Sequence, residues 1–112
     1  MPRKKLKPVH PGEVLLEEFL KPLELGQNRL ALDIGVSARP INEIVLGKRS
    51  VSADTALRLA RYFGTTPNFW KGLQSEYDLD IAAYKLSDRL LHEVRPRKQH
   101  AMHANVDEIT AR

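Results

Sequence analysis

A single glycine inside a helical pattern constrains this fold most. In LALDIGVSARPINEIVLG, residues 30–47, apolar residues at helical spacing stop at Gly35 and resume one turn later on a new phase. Glycine readily adopts the positive φ that a tight turn between two short helices demands. Ala31 is small enough to let the helices approach closely, and Val36 and Ile41 fill the space between them. The stretch predicts a helix-turn-helix, although a chance helical hairpin could imitate several of these positions.

Apolar residues at helical spacing continue on both sides of this motif and predict an all-α domain with five helices. We expect the helices to cover GEVLLEEFLKPL, the segment between Gly26 and Gly35, about Ala38 to Leu46, SADTALRLARYF, and a segment that opens at Pro67. Ser37, Ser52 and Thr66 precede the last three and are expected to cap them. Leu86, Leu90, Leu91 and Val94 form a shorter amphipathic piece, which is either a sixth helix or an extension of the fifth.

The same spacing predicts which side chains form the core. The expected inward residues are Leu16, Phe19, Leu20 and Leu23 in the first helix, Leu30, Ala31 and Ile34 in the second, Ile41, Ile44 and Val45 in the third, Ala56, Leu59, Ala60 and Phe63 in the fourth, and Phe69, Leu73, Tyr77, Ile81 and Tyr84 in the fifth. No strand alternation and no internal repeat is visible. We divide the chain into a flexible basic arm at residues 1–9, a domain at 10–84, and a helical or disordered extension at 85–112.

The composition restricts the classes of function. The 112 residues are enough for about one small domain, and the net charge of +4 favours a polyanionic partner, with a solvated basic surface as the alternative. The absence of cysteine excludes disulfides, thiolate metal sites and thiol catalysis. We find neither a signal peptide nor a membrane span, and expect a cytoplasmic protein. Histidines 10, 92, 100 and 103 lack metal-site spacing, so no metal, cofactor or catalytic site is expected.

The helix-turn-helix geometry selects a set of candidate DNA-binding residues. With Ile41 and Ile44 facing inward, the side chains that face outward from the third helix are Arg39, Asn42, Glu43 and Leu46. Arginine bonds guanine and asparagine bonds adenine in a bidentate manner, so Arg39 and Asn42 are the expected base readers. The expected supporting contacts are Gln27 and Ser37 to phosphates, Ala38 at the start of the recognition helix, and Lys48 and Arg49 beside the DNA backbone.

Two residues fit this surface less readily. Glu43 repels phosphate unless it accepts a hydrogen bond from cytosine or pairs with a neighbour such as Arg39, and it stays unassigned. Pro40 removes an N–H group that Ser37 could have capped, so the Ser37 cap must rely on the Arg39 amide. On the other side of the domain, Trp70 and the stripe that contains Leu86 and Leu90 are hard to bury in so small a protein. We expect them, with Tyr77, to face a second subunit or another protein, whereas Phe69 packs on the core.

Three segments together resemble a known family. They are HPGEVLLEEFLKPLEL, QNRLALDIGVS and INEIVLGKRSVSADTALRLARYFGTTPNFWKGLQ, and they are similar to the HigA and VapI group of antitoxins within the Xre-type helix-turn-helix class. The resemblance spans about residues 10–80. It implies a five-helix, lambda-repressor-like DNA-binding domain, usually dimeric, that represses its own operon and neutralises a toxin similar to HigB, a ribosome-dependent mRNA endonuclease. Gly26 departs from the Ser or Thr cap that is common in the class.

The residues and the resemblance together lead to one main hypothesis. We expect a homodimeric repressor and antitoxin that inserts two recognition helices into successive major grooves of a palindromic operator. A regulator of the same fold without a toxin is one alternative. A protein-interaction module that has lost DNA binding is a second, favoured by Glu43 and Pro40. An enzyme is the least supported, because the chain lacks a visible catalytic constellation.

Overall fold

The computed structural model describes residues 7–97, which fold into helices joined by short connections. Helix α1 combines Pro11–Val14, the π-helical Leu15–Leu20 and Lys21–Leu23; it is followed by α2 (Gln27–Ile34), α3 (Ala38–Val45), α4 (Ala53–Phe63), α5 (Pro67–Leu86) and α6 (Arg89–Glu93). No strand occurs in the described residues, and the predicted all-α class is confirmed. Residues 1–6 of the expected basic arm, and the tail from residue 98 with His100 and His103, lie outside the described residues.

The central helices follow the predicted pattern closely. The residues of α2, α3 and α4 that are buried are Leu30, Ala31, Ile34, Ile41, Ile44, Ala56, Leu59 and Ala60, all of them expected. Val45 and Phe63 are only partly buried. Gly35 and Gly64 end α2 and α4 with φ values of 77° and 78°, the left-handed conformation that favours glycine. The Ser52 hydroxyl caps α4 by accepting a hydrogen bond from the Thr55 N–H group.

The first helix departs from the regular 3.6-residue period. A π-helix closes hydrogen bonds between residues i and i+5 and therefore brings side chains five positions apart onto one face. Leu15 and Leu20 are both buried in this way, with 0% and 2% exposure. The periodic pattern assigned Leu16 and Leu23 to the core, but Leu16 is partly buried and Leu23 is 60% exposed. The expectation for Leu23 is therefore wrong, because the π-helical segment changes the phase of the helix.

The start of α1 lies directly against α3. A Cβ atom at Gly12 would lie 1.7 Å from the carbonyl oxygen of Ile44, so a side chain at this position cannot be accommodated without moving the backbone. His10 is the N-cap of α1, and its Nδ1 atom accepts a hydrogen bond of 2.9 Å from the Gly12 N–H group. The imidazole also packs edge-on against Tyr77, with ring centroids 4.8 Å apart. These contacts fix the position of α1 against the helix that carries the candidate site.

The aromatic residues of α5 correct a prediction. Trp70 is completely buried, its indole N–H donates to the Thr65 hydroxyl at 2.8 Å, and its ring lies 5.1 Å from that of Phe19. A hydrogen-bonded indole can be buried at little cost, so the small size of the domain did not exclude it. The expectation that Trp70 faces a partner is wrong. Phe69 packs on the core as expected, with its ring 4.9 Å from that of Trp70, although it is 39% exposed. Tyr84, also expected inward, is 83% exposed.

The connection before α4 is part of the core. Val51 has 1% exposure, and its N–H group donates to the buried Gln74 at 2.8 Å. The Gln74 amide in turn donates to Asp78, and Lys71 donates to the Val51 carbonyl at 3.1 Å. Both polar groups of the Val51 backbone are thus satisfied by side chains from α5. Neither Val51 nor Gln74 was expected to be buried.

The described residues divide into two compact units, residues 7–82 and residues 83–97. The core described above belongs to the first unit. In the second, Ser87 has a positive φ of 40°, and α6 begins after it as a separate short helix. A sixth helix, one of the two alternatives for this segment, is therefore observed for Leu90 and Leu91, while Leu86 ends α5 and Val94 follows α6. Leu86 is partly buried and Leu90 is 45% exposed, and their role towards a partner stays a prediction, as does that of Tyr77.

Candidate nucleic-acid interface

The candidate interface is the side of α3 that faces away from the core. Ile41 and Ile44 are 1% exposed and hold α3 against the other helices. The Arg39 side chain is 83% exposed, and Leu46 is 67% exposed at the end of the helix. Asn42 and Glu43 are partly buried beside them. The sequence therefore predicted correctly which side of α3 is available to another molecule.

The turn before α3 is anchored to α4. Gly35 ends α2 with φ of 77° and ψ of 32°, as the motif predicted. Arg58 donates from Nη1 to the Ile34 carbonyl at 2.7 Å, and its Nε atom lies 2.6 Å from Asp54. A cation at the last carbonyl groups of a helix also opposes the negative end of its dipole. Arg58 was missed because it lies 24 residues from Ile34 and no local pattern connects the two.

The first turn of α3 is not capped by a side chain. Ser37 occupies the N-cap position with extended backbone angles, but its hydroxyl makes no capping hydrogen bond. A capping hydroxyl normally bonds the second or third N–H group of the helix, and the third residue here is Pro40, which has none. The expected cap on the Arg39 amide is wrong. The Ser37 side chain is exposed, and no side chain caps the first N–H groups of α3, which is the arrangement that binds anions at a helix N-terminus.

Two candidates on different helices are in direct contact. Asn42 donates from Nδ2 to Oε1 of Gln27 at 2.6 Å, which joins the middle of α3 to the first residue of α2. A primary amide has two donors and one oxygen acceptor. Asn42 therefore keeps its oxygen and one N–H group for a base edge, while Gln27 keeps its own NH₂ group. The two residues were predicted for different roles, and the structure brings them together.

Glu43 links two arginines. Its Oε2 atom accepts from Arg39 Nε at 2.9 Å, and its Oε1 atom accepts from Arg49 Nε at 2.8 Å. Hydrogen bonds from Arg39 and then from Arg49 lower the pKa of the Glu43 carboxyl below its ordinary value. The pairing with Arg39, one of the alternatives drawn from the sequence, is confirmed. The contact with Arg49 was not anticipated, because it requires the chain to turn back after α3.

That turn brings more positive charge to the end of α3. Gly47 has a φ of 78°, and the Lys48 N–H group donates to the Glu43 carbonyl at 2.8 Å. Lys48 and Arg49 are both exposed. With Arg39 they give α3 and the turn after it three cationic side chains against the one carboxylate of Glu43, a balance that favours an anionic partner.

Other chemistry is not indicated in the part of the chain that the structure describes. No three His, Asp or Glu side chains there are arranged to hold a metal ion. No helix between residues 7 and 97 is long and apolar enough to cross a bilayer.

Known proteins are similar to this chain in sequence. The model of the Helix-turn-helix family matches residues 16–70. Virulence-associated protein I of Dichelobacter nodosus is 51% identical over 74 residues, which cover 66% of this chain and 68% of the relative. Antitoxin HigA-1 of Vibrio cholerae is 35% identical over 79 residues, which cover 70% of this chain and 74% of the relative.

A solved structure extends the likeness to three dimensions. The Pseudomonas aeruginosa antitoxin HigA, solved with the higBA promoter, superimposes with a TM-score of 0.79 at 43% identity and covers 82% of this chain and 100% of that chain. The resemblance drawn from the sequence is confirmed by these matches. The chain therefore belongs to the HigA and VapI group of helix-turn-helix proteins, which are transcription regulators and not enzymes.

Proposed function

We propose that this protein is an antitoxin that represses its own promoter and neutralises a partner toxin similar to HigB. The observation that supports DNA binding best is the outer side of α3, where Arg39 and Asn42 lie on a helix held against the core by Ile41 and Ile44, with Arg49 just beyond its end. The P. aeruginosa relative was solved with promoter DNA. A rigid helix with an exposed arginine at its N-terminal end suits insertion into the major groove.

Each candidate residue has a role in this proposal. Arg39 reads guanine through two N–H groups, and Asn42 reads adenine through its free amide oxygen and remaining N–H group. Gln27, Ser37 and the first N–H groups of α2 and α3, including that of Ala38, contact phosphates. Lys48 and Arg49 add charge next to the DNA backbone. Phosphate contacts of this kind make the affinity fall steeply as the salt concentration rises.

Repression follows from the geometry of a dimer. Two copies would insert their α3 helices into successive major grooves, about 34 Å apart on one side of the duplex. An operator that overlaps the protein's own promoter would then exclude RNA polymerase. The bound operator would be palindromic because the dimer has two-fold symmetry. This activity and the toxin partner both belong in the cytoplasm.

The DNA-binding part of the proposal is tested with the protein's own upstream region. Overlapping duplexes of about 30 base pairs, enough for two half-sites, would be titrated by fluorescence anisotropy at several salt concentrations. We expect one duplex to bind far more tightly than a random duplex of the same length and composition. Equal affinity for all duplexes would contradict the proposal and favour a protein-interaction module.

The toxin part is tested separately in native cells. Tagged wild-type protein and the Arg39→Ala variant would be isolated, and co-purifying proteins and DNA would be identified by mass spectrometry and sequencing. We expect both proteins to retain a small basic partner in near-equal amount, but only the wild type to retain its promoter. Promoter DNA without such a partner would indicate a regulator that acts without a toxin.

A further inference from the structure

A carboxylate within a surface that binds DNA needs an explanation, because it repels phosphate. Glu43 lies near the centre of α3, with 27% of its side chain exposed. One carboxylate oxygen accepts from Arg39, at the start of the helix, and the other accepts from Arg49, beyond its end. A single residue therefore fixes two cations that lie ten positions apart in the sequence.

The hydrogen bonds involve the same atom of both arginines. A guanidinium group is a planar fork with five N–H donors, and each arginine uses its Nε–H group on Glu43. The two Nη atoms are left with four N–H groups, and one from each atom points along the far edge of the fork. Guanine and phosphate both accept parallel hydrogen bonds from such an edge. The contact with Glu43 is thus compatible with recognition and restricts the direction in which each fork points.

Stability gives no sufficient reason for this arrangement. Ion pairs between exposed side chains contribute little to folding, and the Arg39 side chain is 83% exposed. Binding, in contrast, requires long side chains to lose rotamer freedom, which reduces affinity. Arginines that are already ordered before DNA arrives lose less freedom on binding. The benefit of Glu43 would therefore appear in recognition.

We propose that Glu43 is a positioning residue, which orders Arg39 and Arg49 so that the surface discriminates among DNA sequences. This inference rests on the proposed function, because it concerns how the same surface selects its operator. It gives Glu43 two opposing effects. Its charge weakens binding to any duplex, while its hydrogen bonds strengthen binding to the preferred one.

The variant Glu43→Gln separates these effects. Glutamine keeps the size of the side chain but removes the charge and replaces one of the two acceptor oxygens with an NH₂ group, which cannot accept from an arginine. The probes are the duplex selected by the wild-type protein from a random library and a scrambled duplex of equal length. We expect affinity for the scrambled duplex to rise, and the preference for the selected duplex to fall by about tenfold, the effect of releasing two long side chains.

The matched control is Glu17→Gln. Glu17 pairs with Lys21 across one turn of α1 at 2.9 Å, so the substitution removes the same charge from a similar ion pair on another helix. We expect it to leave the preference for the selected duplex unchanged. Equal tightening of both duplexes by Glu43→Gln would overturn the inference, because it would leave charge repulsion as the only effect of Glu43.

A measurement without DNA distinguishes this inference from the proposed function. In nuclear magnetic resonance spectra of the free protein, the Nε–H groups of Arg39 and Arg49 should be ordered in the wild type and mobile in Glu43→Gln. If both arginines are mobile in the wild type, the positioning role is refuted even if the protein binds its promoter. If they are ordered but no duplex is preferred, the proposed function fails while the positioning contact stands.

Discussion

The two sides of α3 differ in what holds their residues. The inner face, Ile41 and Ile44, is 1% exposed, and the backbone of Gly12 lies directly against the Ile44 carbonyl. The outer face, Arg39, Asn42 and Glu43, is held by hydrogen bonds between side chains. Burial of apolar area dominates stability, while exposed ion pairs contribute little. We therefore expect changes on the inner face to affect folding and changes on the outer face to affect binding.

The largest change in the free energy of unfolding should come from Ile44→Ala. Removing a buried isoleucine loses its apolar burial and leaves a cavity, which costs about 2 to 5 kcal/mol. The matched control is Leu46→Ala, two residues later, because Leu46 is 67% exposed. That change should alter the free energy of unfolding by less than about 0.5 kcal/mol. Urea denaturation checks both, and similar midpoints for the two variants would refute the division between the faces.

The substitution Gly12→Ala should cause the next largest loss of stability. The added Cβ would lie 1.7 Å from the Ile44 carbonyl oxygen, so α1 and α3 must separate, at a cost of about 3 kcal/mol. Gly72→Ala is the control, since its added Cβ, within α5, would meet nothing within 4 Å beyond the neighbouring backbone of its own helix. It should stabilise the protein by up to about 1 kcal/mol. The opposite directions would be visible in thermal unfolding curves, and a stable Gly12→Ala variant would contradict the close packing.

Arg39→Ala tests the outer face. It should weaken binding to the selected duplex by about 2 kcal/mol, roughly 30-fold, and leave the urea midpoint nearly unchanged. Arg89→Ala is the control, because Arg89 pairs with Glu93 across one turn of α6 as Arg39 does with Glu43. It removes the same charge without touching α3. If both variants lost the same affinity, Arg39 would act only through its charge.

The smallest effect concerns pH and His10. Burial lowers the pKa of His10, and nearby Asp78 opposes this shift. A group whose pKa is lower in the folded than in the unfolded protein stabilises the fold above its unfolded pKa, near 6.5, and loses that contribution as the pH falls through the folded pKa. Protonation of Nδ1 also removes the acceptor that caps Gly12.

We therefore expect the urea concentration at the unfolding midpoint to decrease as the pH is lowered from about 7.5 to about 5, the range where histidine titrates. The slope should be smaller in His10→Asn, which retains a capping side chain without a titrating ring. Equal slopes for both proteins would exclude His10 as the cause. On the outer face, Glu43 should stay ionised over this range because its pKa is lowered.

The sequence predicted the structure well where regular helical spacing and glycine turns determine it. Apolar spacing and the glycines gave α2, the turn at Gly35, α3 and α4 nearly to the residue. The prediction that Leu23 is buried failed because a π-helical segment changes the period of the first helix. The prediction that Trp70 is exposed failed because the Thr65 hydroxyl accepts a hydrogen bond from its indole. Neither the change of period nor the hydrogen bond has a reliable signature in apolar spacing.

On the candidate surface, too, local patterns were predictable and most contacts between side chains were not. Fixing the inward residues of α3 was sufficient to direct Arg39 and Asn42 outward. The pairing of Arg39 with Glu43 was among the alternatives, but the other contacts were beyond the sequence, because Asn42 contacts Gln27 across 15 positions and Arg58 reaches Ile34 across 24. His10 was also missed as a cap, although a polar residue before a proline at the first helical position is a usable signal.

The sequence by itself determined the helices, the turn and the side of α3 that is available for recognition, since these follow from periodicity, from the conformational freedom of glycine and from the burial of apolar groups. The tertiary structure alone decided that Glu43 joins Arg39 to Arg49, that Gly12 closes on Ile44 and that Trp70 lies in the core. Glu43 meets Arg49 because the chain turns back after α3. Gly12 and Ile44 are far apart in the chain, as are Trp70 and Phe19, so their contacts are set by the packing of the whole domain.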